Sequence, residues 1–260
     1  MTQQPGVARM PALMVFEYHL INFRRSWYGS VFSSFLLPVL TLVGFGVGVG
    51  SYVTGGVDGV PYLDYLVPGL IASTAFQVAI GESLWPVFGR FEWEKTYFAQ
   101  AAAPLRVADI LGGQLLFLLF RVLLSSTIFL VVAAAFGTLH SLWALAVVPV
   151  QVLLGLAVIS PVIAYAARVS SDSFLALLMR FGVIPMTLFS GVFFPVAELT
   201  PVLRWLAYAS PLWHSVELSR AATLGTTPYW PAAGHLLYLA AWAVVGWWLA
   251  RRQFARRLVD

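Results

Sequence analysis

Long apolar runs separated by short polar stretches dominate the chain. No Asp, Glu, Lys or Arg occurs between residues 26 and 57, 65 and 81, 122 and 167, 181 and 197, or 221 and 250. A helix needs about 20 apolar residues to cross the hydrocarbon of a bilayer. The interval from 122 to 167 is long enough for two crossings, with Gly137-Thr138-Leu139-His140-Ser141 as the turn between them. The pattern predicts an all-α polytopic membrane protein with six transmembrane helices, near 28–50, 65–88, 109–136, 143–167, 173–194 and 232–250. About 25 residues precede the first run, which is longer than a signal-peptide core, so it is expected to stay as an anchor.

Two segments outside these spans carry their own pattern. Before the first span, Leu13, Phe16, Leu20 and Phe23 recur at helical spacing, while Asn22 and Arg25 lie off that stripe. Residues 1–27 thus suit a helix in the headgroup layer, the alternative being a frayed tail. Trp27, Trp143 and Trp230 fall near span ends, where interfacial rings collect. Between spans five and six, Pro195, Pro201 and Pro211 interrupt the chain. Thr200 and Ser210 each put a capping hydroxyl before a proline at a first helical position. Two short helices are expected within 195–225, too apolar for a free loop and too short to cross. They should re-enter the outer leaflet packed against protein.

Composition agrees: 60% of residues are hydrophobic, 10% are charged and mean hydropathy is +0.84, whereas a soluble domain carries about 25% charge. The charges set an orientation. Arg9, Arg24, Arg25, Arg90, Lys95, Arg106, Arg168, Arg251, Arg252, Arg256 and Arg257 fall on one side of the predicted spans, and only Arg204 and Arg220 on the other, whose first loop carries Asp58 and Asp64. Cytoplasmic loops are enriched in Lys and Arg, so both termini are expected in the cytoplasm. The net charge of +4 then reflects topology, and the basic tail reads as a membrane anchor and not a nucleic-acid site.

Candidate chemistry is sparse. With no cysteine there is no disulfide, thiolate nucleophile or Cys-ligated metal. A phosphate-cradling loop needs Gly, four residues, then Gly-Lys-Ser/Thr, and the sole lysine, Lys95, follows Glu94. The chain is therefore expected to bind no nucleotide and to hold no cofactor or metal. His214 with Glu217 is no zinc motif, and His19 and His140 sit near boundaries, where solvated or capping histidines are the default. Gly44, Gly46, Gly48 and Gly50 suggest close packing or flexibility in the first span. Ionisable groups inside spans are costly and mark candidate function. Glu82, Arg121 and Arg180 qualify, either as an anionic-headgroup site or as mutual braces. Phe45, Phe76, Phe120, Phe189 and Phe193 are pathway or packing residues. A rhomboid-like hydrolase is an alternative, although Leu188-Phe-Ser-Gly191 lacks its first glycine while His235 lies on the last span. A passive channel is another.

The insert Ser210-Pro-Leu-Trp-His-Ser-Val-Glu-Leu-Ser-Arg220 resembles the signature of type-2 export permeases of ABC transporters, with Pro211, Leu212, His214 and Arg220 at its positions. With Arg168–Phe174 and Met186–Val196, it is most similar to the permeases of nodulation lipo-oligosaccharide exporters, then to daunorubicin-resistance permeases. The interval 90–113 resembles the family's coupling segment: a charged cluster, Thr96, Pro104-Leu105 and Gly112 before the third span. The resemblance implies that Glu92, Glu94, Lys95, Thr96, Tyr97 and Arg106, within a coupling segment 90–108, meet a separate ATP-hydrolysing subunit carrying ATP and Mg. The alternative is a surface helix without a partner. It also implies one transmembrane domain over 1–260, pairing with a second copy or a homologue in a bacterial-type inner membrane. The cargo would be an amphipathic lipid, glycolipid or drug-like compound.

Overall fold

The computed structural model describes residues 10–50, 52, 55–57 and 59–259. Arg9, Asp58 and the ring of Trp27 lie outside the described residues. The chain is 81% helical. Among the described residues, five helices are long and apolar enough to cross a membrane: Tyr62–Glu92, Val107–Ala135, Leu142–Arg168, Asp172–Phe189 and Ala232–Leu258.

The first helix, α1, runs unbroken from Pro11 to Val43 and continues as a π-helical turn, Gly44–Val49. At 1.5 Å per residue it is about 50 Å long. No boundary falls at residue 27, so the expected separate interfacial helix is the first part of α1. That part does not lie free. Val15 and His19 are buried, and Phe16 and Phe23 pack edge-on against Phe120. Leu13, placed on the apolar stripe by its spacing, is exposed instead. His19, expected to be solvated or capping, is buried against Phe117 at 5.4 Å between ring centroids. The partner of α1 is α5, Val107–Ala135, where Gly113 lets the helices meet: a Cβ there would lie 2.5 Å from the Ala12 carbonyl oxygen. A Cβ at Gly44 would meet nothing within 4 Å among the described residues.

The second span is α2, Tyr62–Ser83, followed by a kink at Leu84 and a short α3, Trp85–Glu92. Pro86 cannot donate a backbone hydrogen bond, and the Ser83 hydroxyl donates to the Ala79 carbonyl at 2.5 Å, which together explain the break. After α3 the chain reverses through Lys95, whose φ of 56° is the one left-handed value outside glycine among the described residues, into α4, Thr96–Ala101. The predicted turn at 137–141 is present. Gly137 takes φ 73°, and the half-exposed His140 ring is hydrogen-bonded to the Asp64 carboxylate at 2.8 Å. A short 3-10 turn leads into α6, Val147–Arg168.

The fifth span is short: α7, Asp172–Leu178, a π turn over Met179–Val183, then α8, Ile184–Phe189. Two helices follow in the insert, α9, Pro201–Tyr208, and α10, Pro211–Leu224. Ser210 caps α10 by accepting from the Leu212 N–H at 3.2 Å, whereas the Thr200 side chain makes no capping bond to α9. The last helix, α11, Ala232–Val259, carries the basic tail as a helical continuation. Helices α2, α5, α6 and α10 form the centre of the bundle, with α1 and α11 on its flanks.

Candidate functional site

A corner at the end that carries the basic tail is built where α3, α4, α5, α6 and α11 converge. Phe91, Tyr97 and Phe254 are fully buried and form a triangle, with centroids 4.6, 4.9 and 5.2 Å apart. Gln114 of α5 accepts from Arg90 at 2.6 Å and from the Tyr97 hydroxyl at 3.2 Å. Arg257 donates to the Ala167 carbonyl at 2.8 Å, lies 4.4 Å over the Phe91 ring and pairs with Glu92. The ends of five helices, α3, α4, α5, α6 and α11, are thereby tied together.

This assembly redistributes the expected coupling residues. Tyr97 is a buried anchor, not a surface group, and burial raises its hydroxyl pKa. Glu92 is part of the brace and also pairs with Lys95 at 3.8 Å. Thr96 is half-buried. Glu94, Lys95 and Arg106 remain exposed, and the Asp109 carboxylate caps α5 by accepting from the Arg106 N–H at 3.0 Å. Two exposed aromatic residues, Trp93 and Phe98, stand beside them. Charge marks this segment in the sequence, and the exposed rings stand between the charges. Alongside lies a groove of about 540 Å³ between α1 and α4, lined by Met14, Tyr18, Thr96, Gln100 and Pro104.

Within the span region, Arg121 meets Glu82. Its Nε and Nη2 both donate to one carboxylate oxygen, at 3.0 and 2.8 Å, and its guanidinium lies 4.5 Å over the Phe23 ring. Arg121 is 8% exposed, so this pair bridges α1, α2 and α5. Arg180 joins neither. It is exposed on the π turn of the fifth span. Of the aromatic candidates, Phe76 is buried in the core, Phe120 packs on α1, and Phe45 lies 5.7 Å from Phe193.

At the opposite end, the signature residues organise α10. Pro211 occupies its first turn, and Leu212 and His214 are buried. His214 Nε2 donates to the Tyr208 carbonyl at 3.0 Å, leaving Nδ1 to face His235 Nδ1 at 2.9 Å. Arg220 donates to Glu217 at 3.1 Å and to the Gly191 carbonyl at 2.8 Å. Gln151 of α6 clasps the same helix, accepting from Ser215 at 2.9 Å and donating to Ser219 at 2.8 Å. Gln114 and Gln151 carry no charge to mark them in the sequence, but uncharged polar side chains also join helices in membranes. Among the described residues no group of three or more His, Asp or Glu could hold a metal ion. The Ser190 hydroxyl donates to Ser210 at 2.9 Å while His235 is engaged with His214, so no Ser–His pair forms here.

The profile of ABC-2 type transporters matches residues 12–224. The chain belongs to the ABC-2 type transporter family. It is 31% identical to "Nodulation protein J" of Rhizobium leguminosarum bv. viciae over 98% of this chain and 99% of that protein. To its namesake in Sinorhizobium fredii NGR234 it is 30% identical over 95% and 94%, and to that of Rhizobium meliloti 29% over 97% and 98%. The resemblance read from residues 168–220 therefore extends along nearly the whole chain. The protein is a multi-pass membrane component of an ABC transporter.

Proposed function

We propose that this chain is the transmembrane subunit of an ATP-driven exporter, and that a separate ABC ATPase docks on the corner formed by Trp93, Glu94, Lys95, Phe98 and Arg106. The observation that carries this reading is the pairing of an exposed aromatic and charged face with a rigid backing of Phe91, Tyr97 and Phe254. A push on such a face is not absorbed locally, because close-packed interiors transmit displacement. Through α3 it reaches the kink at Leu84, through Gln114 it reaches α5, and through Phe254 and Arg257 it reaches α11. Exposed aromatics among charges also suit an interface hot spot.

A second copy or a homologous permease completes the pathway. The fifth span supports this: Phe174, Leu177, Phe181, Ile184 and Leu188 are exposed at alternating spacings of three and four residues, the ridge that a partner helix takes. Arg180 beside that ridge would be costly if left to lipid alone. The cargo is an amphipathic lipid, glycolipid or drug-like compound, and both termini lie in the cytoplasm of a bacterial-type inner membrane. Support for this topology comes from the charge bias and from the corner occupying the same end as the basic tail.

The test uses the absence of native cysteine. A photoreactive thiol probe on Phe98→Cys should crosslink to a co-expressed ABC ATPase, and one on Thr200→Cys should not. An impermeant thiol reagent added outside should label Gly59→Cys and Thr200→Cys but spare Ala102→Cys. Labelling of Ala102→Cys from outside overturns the topology and the docking face together.

A further inference from the structure

The charge bias that orients the chain leaves two arginines, Arg204 and Arg220, at the end away from the basic tail. They sit in different helices, yet the fold brings both to one pocket of about 170 Å³, whose lining also includes Tyr65, Tyr208, Trp213 and Glu217. Insertion disfavours positive charge on the outer side, so the convergence of both exceptions on one concavity calls for a physical account.

Their charges are not equally compensated. Glu217 is spent on Arg220: one carboxylate oxygen accepts from the Arg220 guanidinium at 3.1 Å and the other from the Tyr229 N–H at 3.3 Å. Arg220 is further held by the Gly191 carbonyl and lies 4.0 Å over the Tyr65 ring. Arg204 forms no ion pair among the described residues. Its Nη2 donates to the carbonyls of Ala197 and Leu199 at 2.5 and 3.2 Å, and its Nε has no acceptor. An arginine carries five N–H donors in a fixed fork. Here one corner of the Arg204 fork is pinned to backbone, which sets its direction and leaves the rest of its donors unsatisfied among the described residues. The lining thus retains one uncompensated positive charge, held in place beside four aromatic rings.

We propose that this pocket binds a phosphate group, with Arg204 as its principal contact and Arg220 setting the positive field. A guanidinium fork matches phosphate oxygens bidentately, and a concave wall of low dielectric concentrates the field of a fixed charge. The rings of Tyr65, Tyr208 and Trp213 give an organic group attached to the phosphate an apolar surface. The phosphate comes either from a lipid headgroup in the adjacent leaflet or from free phosphate. The pocket's chemistry is independent of topology; only its outward placement rests on the function proposed above.

The test is isothermal calorimetry on the purified full-length chain in uncharged detergent. Inorganic phosphate and a short-chain phosphatidylglycerol are titrated separately, with a diacylglycerol of the same chains as control. Binding of the phospholipid alone identifies a headgroup site, and equal binding of inorganic phosphate identifies a free-phosphate site. Arg204→Gln should weaken the bound species about tenfold, the loss expected for one charge-assisted hydrogen bond. Glu217→Gln should strengthen it several-fold, because it removes the one negative charge of the lining. Arg252→Gln, on the basic tail, should leave it unchanged. Binding of neither phosphate compound, equal binding of the diacylglycerol, or parental affinity in Arg204→Gln overturns the proposal. Should Arg204→Gln fail to fold, the Glu217→Gln arm stands alone, and unchanged or weakened binding there overturns it. External labelling of Thr200→Cys reports the side of the membrane separately, so a failed topology and a failed site are distinguishable.

Discussion

The second and fifth spans are alike in apolarity and opposite in surroundings. In Tyr62–Glu92, 72% of the apolar window is buried within the chain, whereas in Asp172–Phe189 the figure is 11%. Each carries an ionisable residue well inside its ends, Glu82 in the second and Arg180 in the fifth. Glu82 of the second meets Arg121; Arg180 of the fifth faces outward with no ion pair among the described residues. Hydropathy reports only that a surface avoids water. Whether the surface meets protein or lipid depends on small residues that admit a neighbour, and the second span has these: a Cβ at Gly69 would lie 2.8 Å from the Val192 carbonyl oxygen. The fifth span presents large side chains at its outward positions, Phe174, Phe181 and Ile184 among them.

The most disruptive test of this contrast is Gly69→Val. Its new side chain would strike backbone that cannot yield, beyond the roughly 1–3 kcal/mol usual for overpacking. Monodisperse yield in detergent should collapse. In the fifth span, Gly182→Ala meets only the Leu178 side chain at 3.2 Å, and yield should be kept. Equal yields would mean that α2 does not pack as described.

Next in size is Arg121. Arg121→Met strands the Glu82 carboxylate, and removing one partner of a buried pair costs on the order of 3 kcal/mol; partial exposure of Glu82, at 32%, reduces this. Thermal stability should fall clearly, with Arg121→Lys intermediate because it keeps charge but not the fork. Arg180→Met should leave monomer stability unchanged and act on transport or pairing. The complementary measurement is disulfide formation between copies carrying Phe181→Cys, compared with Phe76→Cys, which is buried. A dimer from the first and not the second supports pairing through the fifth span; none from either breaks that reading.

A finer effect separates the coupling residues. Glu94→Ala with Lys95→Ala should leave stability within about 0.5 kcal/mol, as for ordinary surface changes, while weakening ATPase co-purification. Glu92→Ala should instead free Arg257 and loosen the tail, seen as faster proteolysis after Ala250. The smallest effect concerns His214. Burial, chiefly, lowers its pKa to about 4 against an ordinary 6.5, and the neighbouring His235 adds to this. The unfolded state then binds more protons between those values, so stability falls as pH drops from about 6.5 towards 4. His214→Gln should flatten that part of a melting-temperature profile.

Much of this was legible along the chain. The uncharged intervals gave an all-α polytopic membrane chain, with five helices among the described residues long and apolar enough to cross, Ser210-Pro211 gave the start of α10, and residues 168–220 gave a family that the full-length similarity bears out. Other readings failed for identifiable reasons. The segment expected to lie in the headgroup layer before the first span continues into it, from Pro11, as one helix, and Val15 and His19 bury against α5. Tyr97 and Glu92 looked like surface groups because their neighbours in sequence are charged. Their actual neighbours are Phe254 and Arg257, more than 150 residues away.

The sequence by itself determined the solvent, the helical class and the charge asymmetry, because each is a sum over local residues and needs no knowledge of what lies opposite. Tertiary structure alone decided which charges are paired, which apolar faces are covered, and that Arg204 and Arg220 share a pocket. Those are properties of distances between remote residues. The physical reason is that a side chain's desolvation and its partner are set by the packed neighbour, and at Gly69, Gly113 and Gly246 the neighbour's approach depends on an absent Cβ that the hydropathy pattern does not register.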